Sequence, residues 1–97
     1  MWIRLVFAKA DPGQVEEMRK LYNSQELTDF FEAQPGHRFH HLLESPVDPD
    51  DVVFMTGWNS EAEMTTAFAS DAHKKVGAKF KPFLVAPSER KVYEVHE

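Results

Sequence analysis

The chain has 97 residues, 42% of them hydrophobic and 28% charged, the make-up of one globular domain with a single core. Eleven Lys and Arg against sixteen Asp and Glu give a net charge of −5, which disfavours phosphate backbones and anionic membrane surfaces, so no nucleic-acid partner is expected. The absence of cysteine excludes a disulfide frame, a thiol nucleophile and a thiolate metal site, and it fits a reducing cytoplasm. Met1 to Phe7 is too short an apolar run for a signal peptide, and no stretch approaches the roughly 20 apolar residues of a membrane span.

In chain order, residues 2–9 alternate Ile3, Leu5 and Phe7 with Trp2, Arg4, Val6 and Ala8, a strand whose two faces are both largely apolar. Asp11-Pro12-Gly13-Gln14 then predicts a helix start, with Asp11 as N-cap and Pro12 in the first turn. Val15, Met18, Leu21 and Tyr22 follow at helical spacing. Asn23-Ser24 is a point of interruption, after which Leu27, Phe30 and Phe31 resume the spacing until Pro35-Gly36 ends it. His37 to Glu44 reads as a strand, with His37, Phe39, His41 and Leu43 on one face and Arg38, His40 and Leu42 on the other. The loop from Ser45 to Asp51 joins it as a hairpin to the run from Val52 to Trp58.

There Gly57-Trp58-Asn59 turns a strand into a helix. Ser60 and Glu63 have capping-box spacing, with Ser60 covering the amide three residues on and Glu63 reaching back. Met64, Ala67 and Phe68 begin an apolar stripe, Ser70-Asp71 is a place where the helix is nicked or recapped, and His73, Val76, Gly77 and Phe80 continue the spacing to Pro82. Arg90 to His96 alternates as a last strand. The order strand, helix, strand, strand, helix, strand gives an α+β, ferredoxin-like βαββαβ domain over residues 1–97, with a four-stranded antiparallel sheet and helices on one face. Apolar side chains of the first and third strands would face away from the helices, and a homodimer joined sheet to sheet is the expected remedy.

Trp58, at the strand end, is placed either to wall a cleft between sheet and helix or to pack in the core. His73 can act as base or donor near neutral pH, or simply cap and pack. Tyr22, Phe30, Phe31, Phe68 and Phe80 suit an aromatic core with one or two rings touching a cavity, and Arg4 and Arg38 are oxyanion partners in reserve. His37, His40 and His41 suggest a metal, but on a regular strand His37 and His41 lie about 13 Å apart and His40 points the opposite way. No metal is therefore expected.

Pro12-Gly13, Pro35-Gly36, and Trp58-x-Ser60-x-x-Glu63 with Phe68, Ser70 and His73 together resemble the antibiotic biosynthesis monooxygenase family of dimeric α+β barrels. The resemblance implies a homodimer and a cavity for a small aromatic or quinol-type molecule that reacts with dioxygen without cofactor. It implies a role for Trp58, by position, in shaping the pocket or donating its indole N–H; Trp58 and His73 are then the candidate catalytic groups, and Trp58, Phe54, Met64, Phe68, Tyr22 and Arg4 the candidate substrate contacts. Two positions depart from the family's site: Phe54 stands where an asparagine is expected and Met64 where a tyrosine is expected. These favour an alternative, a non-catalytic ligand-binding or stress-associated dimer. The haem-degrading branch is similar through Trp58, but its asparagine falls near Ile3 and its iron-ligating histidine near Gly77.

Overall fold

β1 (Trp2–Lys9) is an inner strand of a four-stranded antiparallel sheet, paired with β3 (Asp51–Trp58) on one side and β4 (Glu89–Glu94) on the other. β2 (His37–Glu44) closes the far edge beyond β3, so the sheet order is β2-β3-β1-β4, as the ferredoxin-like arrangement requires. The structure is a computed structural model and describes residues 1–85 and 88–96. The register puts Trp2, Arg4, Val6 and Ala8 opposite Trp58, Thr56, Phe54 and Val52. Because side chains alternate along a strand, these residues share one face, and the helices pack on it.

Between β1 and β2 the expected helix is two: α1 (Val15–Tyr22) and α2 (Gln25–Glu32). The interruption falls at Asn23-Ser24, where the Ser24 hydroxyl accepts the Leu27 N–H and starts α2 afresh. The start of α1 differs from expectation. Asp11 is not its N-cap: Gly13 has φ +83°, outside the helical region, so the helix begins only beyond it, with Gln14 at the cap and no side-chain capping bond. Asp11 instead closes a turn through its carbonyl, which accepts the Gln14 N–H at 3.0 Å.

The second crossover is likewise broken in two, α3 (Glu61–Ala69) and α4 (Asp71–Ala78). Ser60 caps α3 through the Glu63 N–H, while the Glu63 carboxylate accepts the Ser60 hydroxyl rather than reaching the Ser60 backbone. Ser70 ends one helix and begins the next: its hydroxyl donates to the Ala67 carbonyl and accepts the His73 N–H. His73 therefore lies in the first turn of a new helix rather than beyond the middle of a long one. Gly36, at φ +82°, turns the chain into β2 in a space where a Cβ would meet the Glu63 carboxyl carbon at 2.5 Å.

In β2 the strict alternation fails at one point. The register shifts between His37 and Phe39, so Arg38 is an extra, exposed residue in a bulge. The shift corrects the expected faces: His37 and His40 both come to the helix side, their ring nitrogens 3.0 Å apart, while Phe39 and His41 stack on the other side. β4 begins one residue before its expected start and ends at Glu94.

The core between sheet and helices is built from Val52 and Trp58 of β3, Met18 and Tyr22 of α1, Leu27, Phe30 and Phe31 of α2, and Met64 and Ala67 of α3. Burying one such large apolar side chain is worth about 1.5–3 kcal/mol relative to leaving it in water. Arg19 of α1 clasps Glu44 of β2 through two hydrogen bonds of 2.7 and 2.6 Å, and Lys79 after α4 pairs with Glu26 of α2. The opposite face of the sheet carries Ile3, Leu5, Phe7, Val53 and Met55 with no helix over them among the described residues, each only partly covered by its neighbours.

Candidate active site

The helix side of the sheet is not filled throughout. A cavity of about 470 Å³ lies between the inner strands, the end of α1, and α4 with the turn that follows it. That is within the range of small-molecule sites. Its floor is Arg4 and Val6 of β1, Phe54 and Thr56 of β3, and Arg90 of β4; its walls are largely aromatic, from Tyr22, Phe31, Phe68 and Phe80. His73 enters from the first turn of α4.

Arg4 belongs to an inner strand, paired with Thr56 on one side and Val92 on the other, so its side chain rises from the middle of the floor. Its guanidinium lies 3.6 Å from the centroid of the Phe68 ring, a stacked cation–π contact. Among the described residues it joins none of the ion pairs of the molecule. Burial, then the like charge of Arg90, lowers its pKa to about 10, opposed by Tyr22. It keeps its positive charge at neutral pH.

Tyr22 is 3% exposed, and its hydroxyl has no hydrogen-bond partner among the described residues. A buried hydroxyl without a partner costs on the order of 1–3 kcal/mol. Burial pushes its pKa well above the usual phenol value, with Arg4 pulling the other way, so it is a neutral O–H donor. Thr56 is also buried; its hydroxyl accepts the Trp58 Nε1–H at 2.9 Å and keeps its own proton to donate.

His73 packs edge-on against Phe68, with ring centroids 4.7 Å apart and an interplanar angle of 87°. Its pKa is pushed down to about 4, chiefly by burial, then by the charges of Arg4 and Arg90, with the Phe68 backbone opposing. The imidazole is thus uncharged at neutral pH and free to accept a proton.

This shift has a consequence for stability. Between about pH 6.5, where a histidine in the unfolded chain titrates, and pH 4, the unfolded chain binds a proton that the native His73 refuses. Stability therefore falls as pH drops through that window and levels off below it. His37 and His40, lowered chiefly by burial, act in the same sense. Discounted for partial exposure of the ring, the His73 contribution is about 1–2 kcal/mol. Urea midpoints at pH 7 and pH 4.5, at fixed protein concentration, should show a smaller drop for His73→Gln than for the unsubstituted chain; equal drops would refute the assignment.

Of the residues singled out in the sequence, Arg4, Tyr22, Phe54, Phe68 and His73 converge on the cavity. Trp58 and Met64 do not line it. Trp58 is completely buried behind Phe68, at 5.5 Å between ring centroids, and its N–H is spent on Thr56; Met64 is turned into the core. Arg38 is exposed on the bulge. The pair His37 and His40 stacks on Phe31, and no group of three or more potential metal ligands occurs among the described residues. Arg90 and Thr56 were missed by reasoning from sequence. Thr56 has a legible signal, since its period-two spacing between Phe54 and Trp58 puts it on their face.

An aromatic cavity thus lies beneath the second crossover of an α+β, ferredoxin-like sheet. The antibiotic biosynthesis monooxygenase family matches residues 1–79, and the chain belongs to that family. Solved structures agree on the fold. SnoaB, a cofactor-independent oxygenase from Streptomyces nogalater, superposes with a TM-score of 0.78 at 18% identity, covering 99% of this chain and 94% of that one. Rv0793 from Mycobacterium tuberculosis gives a TM-score of 0.78 at 19% identity over 99% and 95% of the two chains. A conserved protein from Methanosarcina mazei Go1 gives 0.80 at 19% identity over 96% and 91%. No curated protein matches the chain. No helix among the described residues is long and apolar enough to cross a membrane.

Proposed function

We propose that this protein is a cofactor-independent monooxygenase that oxidises a small aromatic or quinol-type molecule in the cavity above Arg4. The observation that carries the reading is a half-buried guanidinium, in no ion pair among the described residues, at the floor of an aromatic cavity and beside an uncharged histidine. Family membership and the fold shared with a cofactor-independent oxygenase support it.

The chemistry needs an electron-rich anion. A hydroxyaromatic bound with its oxygen toward Arg4 has its acidity raised by the positive charge, and His73 takes the proton. The anion gives one electron to dioxygen, and the resulting radical pair joins as a carbon–oxygen bond. The peroxide recovers the proton from His73 and loses water. One ring CH position ortho or para to the hydroxyl thereby becomes a carbonyl and the phenol its quinone partner, with one dioxygen consumed and one water released. Aromatic walls exclude bulk water from these steps. Trp58 acts here as a positioning residue, holding Phe68 and, through it, the Arg4 guanidinium.

The working unit is a homodimer in the cytoplasm. Its interface is the uncovered sheet face with Ile3, Leu5, Phe7, Val53 and Met55, too apolar a surface to stand in water. A chain without cysteine suits that compartment. The second reading, a ligand-binding dimer without catalysis, is favoured by Phe54 and Met64, which replace two polar residues of the family's site. Oxygen uptake with a panel of hydroquinones and phenols, set beside calorimetric binding of the same compounds, separates the two. Uptake matched to substrate loss is expected; tight binding with no uptake by any compound would hand the cavity to the second reading.

A further inference from the structure

The proposed reaction asks for an aromatic ring with a removable proton, and it is silent on what else the molecule carries. The charges around the cavity are not silent. In a chain of net charge −5, the cavity is lined by Arg4, Arg90, Lys74 and Lys81 and by no Asp or Glu among the described residues. Lys74 has a distant partner in Asp71, at 3.8 Å on the outer surface of α4, while Arg4 and Arg90 join no ion pair among the described residues. Arg90, Lys74 and Lys81 are exposed and keep their hydration, but Arg4 is half-buried, and the hydration it loses is repaid only by a partner of opposite sign.

A second, independent feature lies beside the first. The Tyr22 hydroxyl, on the cavity wall and close enough to Arg4 for each to perturb the other's titration, is buried and has no acceptor. Two donors therefore border one space, one of them charged and the other, the Tyr22 oxygen, occluded at its edge, with nothing from the described chain to receive them. A phenol or quinol offers Arg4 an acceptor and leaves the charge unbalanced. A carboxylate supplies the charge and has lone pairs enough for both a guanidinium fork and a phenolic O–H.

We infer that the molecule this cavity is built to hold is an aromatic carboxylate, its acid group on Arg4 and Tyr22 and its ring among Phe54, Phe68 and Phe80. Arg90 and the two lysines draw the anion in from solvent. The inference rests on the cavity being the substrate site, as proposed above, and it narrows the substrate class there.

Calorimetric titration of the intact protein without oxygen tests it, with 1-hydroxy-2-naphthoate and its methyl ester as probes. The acid should bind at least about tenfold more tightly than the ester, as a hydrogen bond to a charged group is worth roughly 10- to 150-fold. Arg4→Gln should abolish that preference, bringing acid and ester to similar affinities. Tyr22→Phe, which removes a single oxygen and keeps the ring packing, should weaken the acid severalfold and spare the ester. Should Arg4→Gln fail to fold, the acid–ester comparison and Tyr22→Phe decide the matter. Equal affinities, no binding of the acid, or a preference that survives in folded Arg4→Gln would each overturn the proposal. Oxygen plays no part in these titrations, so a protein that prefers the acid but consumes no oxygen refutes the monooxygenase reading alone.

Discussion

His73→Ala should leave ligand binding within a few-fold of the unsubstituted protein and lower the rate of oxygen consumption by about 10²–10⁴, the usual contribution of a positioned acid–base group. The ring earns this role by place as well as by chemistry. Ser70 stops α3 and restarts the chain as α4, so His73 falls in a first helical turn that looks into the cavity beside Arg4. Gly77, one turn later, leaves the ring room: a Cβ there would already touch the imidazole, 3.7 Å from Cε1. In the free protein burial, then the charges of Arg4 and Arg90, holds His73 uncharged, and an anion on Arg4 offsets the guanidinium share of that opposition, so a proton taken from the substrate can rest on the imidazole. The pH profile of kcat/KM should accordingly fall as pH drops through about 4, where His73 charges in the free protein. Added imidazole should restore part of the activity of His73→Ala. Unchanged turnover in that variant would remove the residue from the mechanism, whatever happens to stability.

Why the strands and their pairing were legible, and the cavity only in part, follows from the range of the forces involved. Ile3, Leu5 and Phe7 alternate with Trp2, Arg4 and Val6, and a period of two is written within eight residues. Ser24, Ser60 and Ser70 cap helices through bonds that reach only three residues onward, so their local spacing carries the signal. The bulge at Arg38 has no such signal. It is set by how β2 pairs with β3, and it moved His37 to the face of His40. Gly13 likewise obeyed its backbone rather than the capping pattern around it. The cavity depends on longer range still. Arg4 and Arg90 are 86 positions apart in sequence and come to one floor only through the β1–β4 pairing. Trp58 was conspicuous as a large ring at a junction, yet size and position cannot tell a wall from a core; its N–H bond to Thr56 can.

Trp58→Ala should cost about 3–5 kcal/mol of unfolding free energy, a large share of the 5–15 kcal/mol that a domain of this kind has in total. The ring is wholly buried, and its removal leaves a void bordered by Phe68, by His37 at 5.7 Å between centroids, and by the Thr56 hydroxyl, which loses its donor. Trp58→Phe separates these causes. It keeps most of the volume and the edge contact with Phe68 but still strips the hydrogen bond from Thr56, so a loss of about 1–2 kcal/mol is expected. Urea unfolding at a fixed protein concentration measures both, since pairing of subunits makes apparent stability depend on concentration. The two variants also bear on function. If Trp58 works only by holding Phe68 beneath the Arg4 guanidinium, the Phe variant should keep its oxygen consumption within a few-fold while being measurably less stable. A Phe variant that is stable but inactive would instead place the indole N–H in contact with the reaction, and Trp58 would then have to move into the cavity when substrate binds.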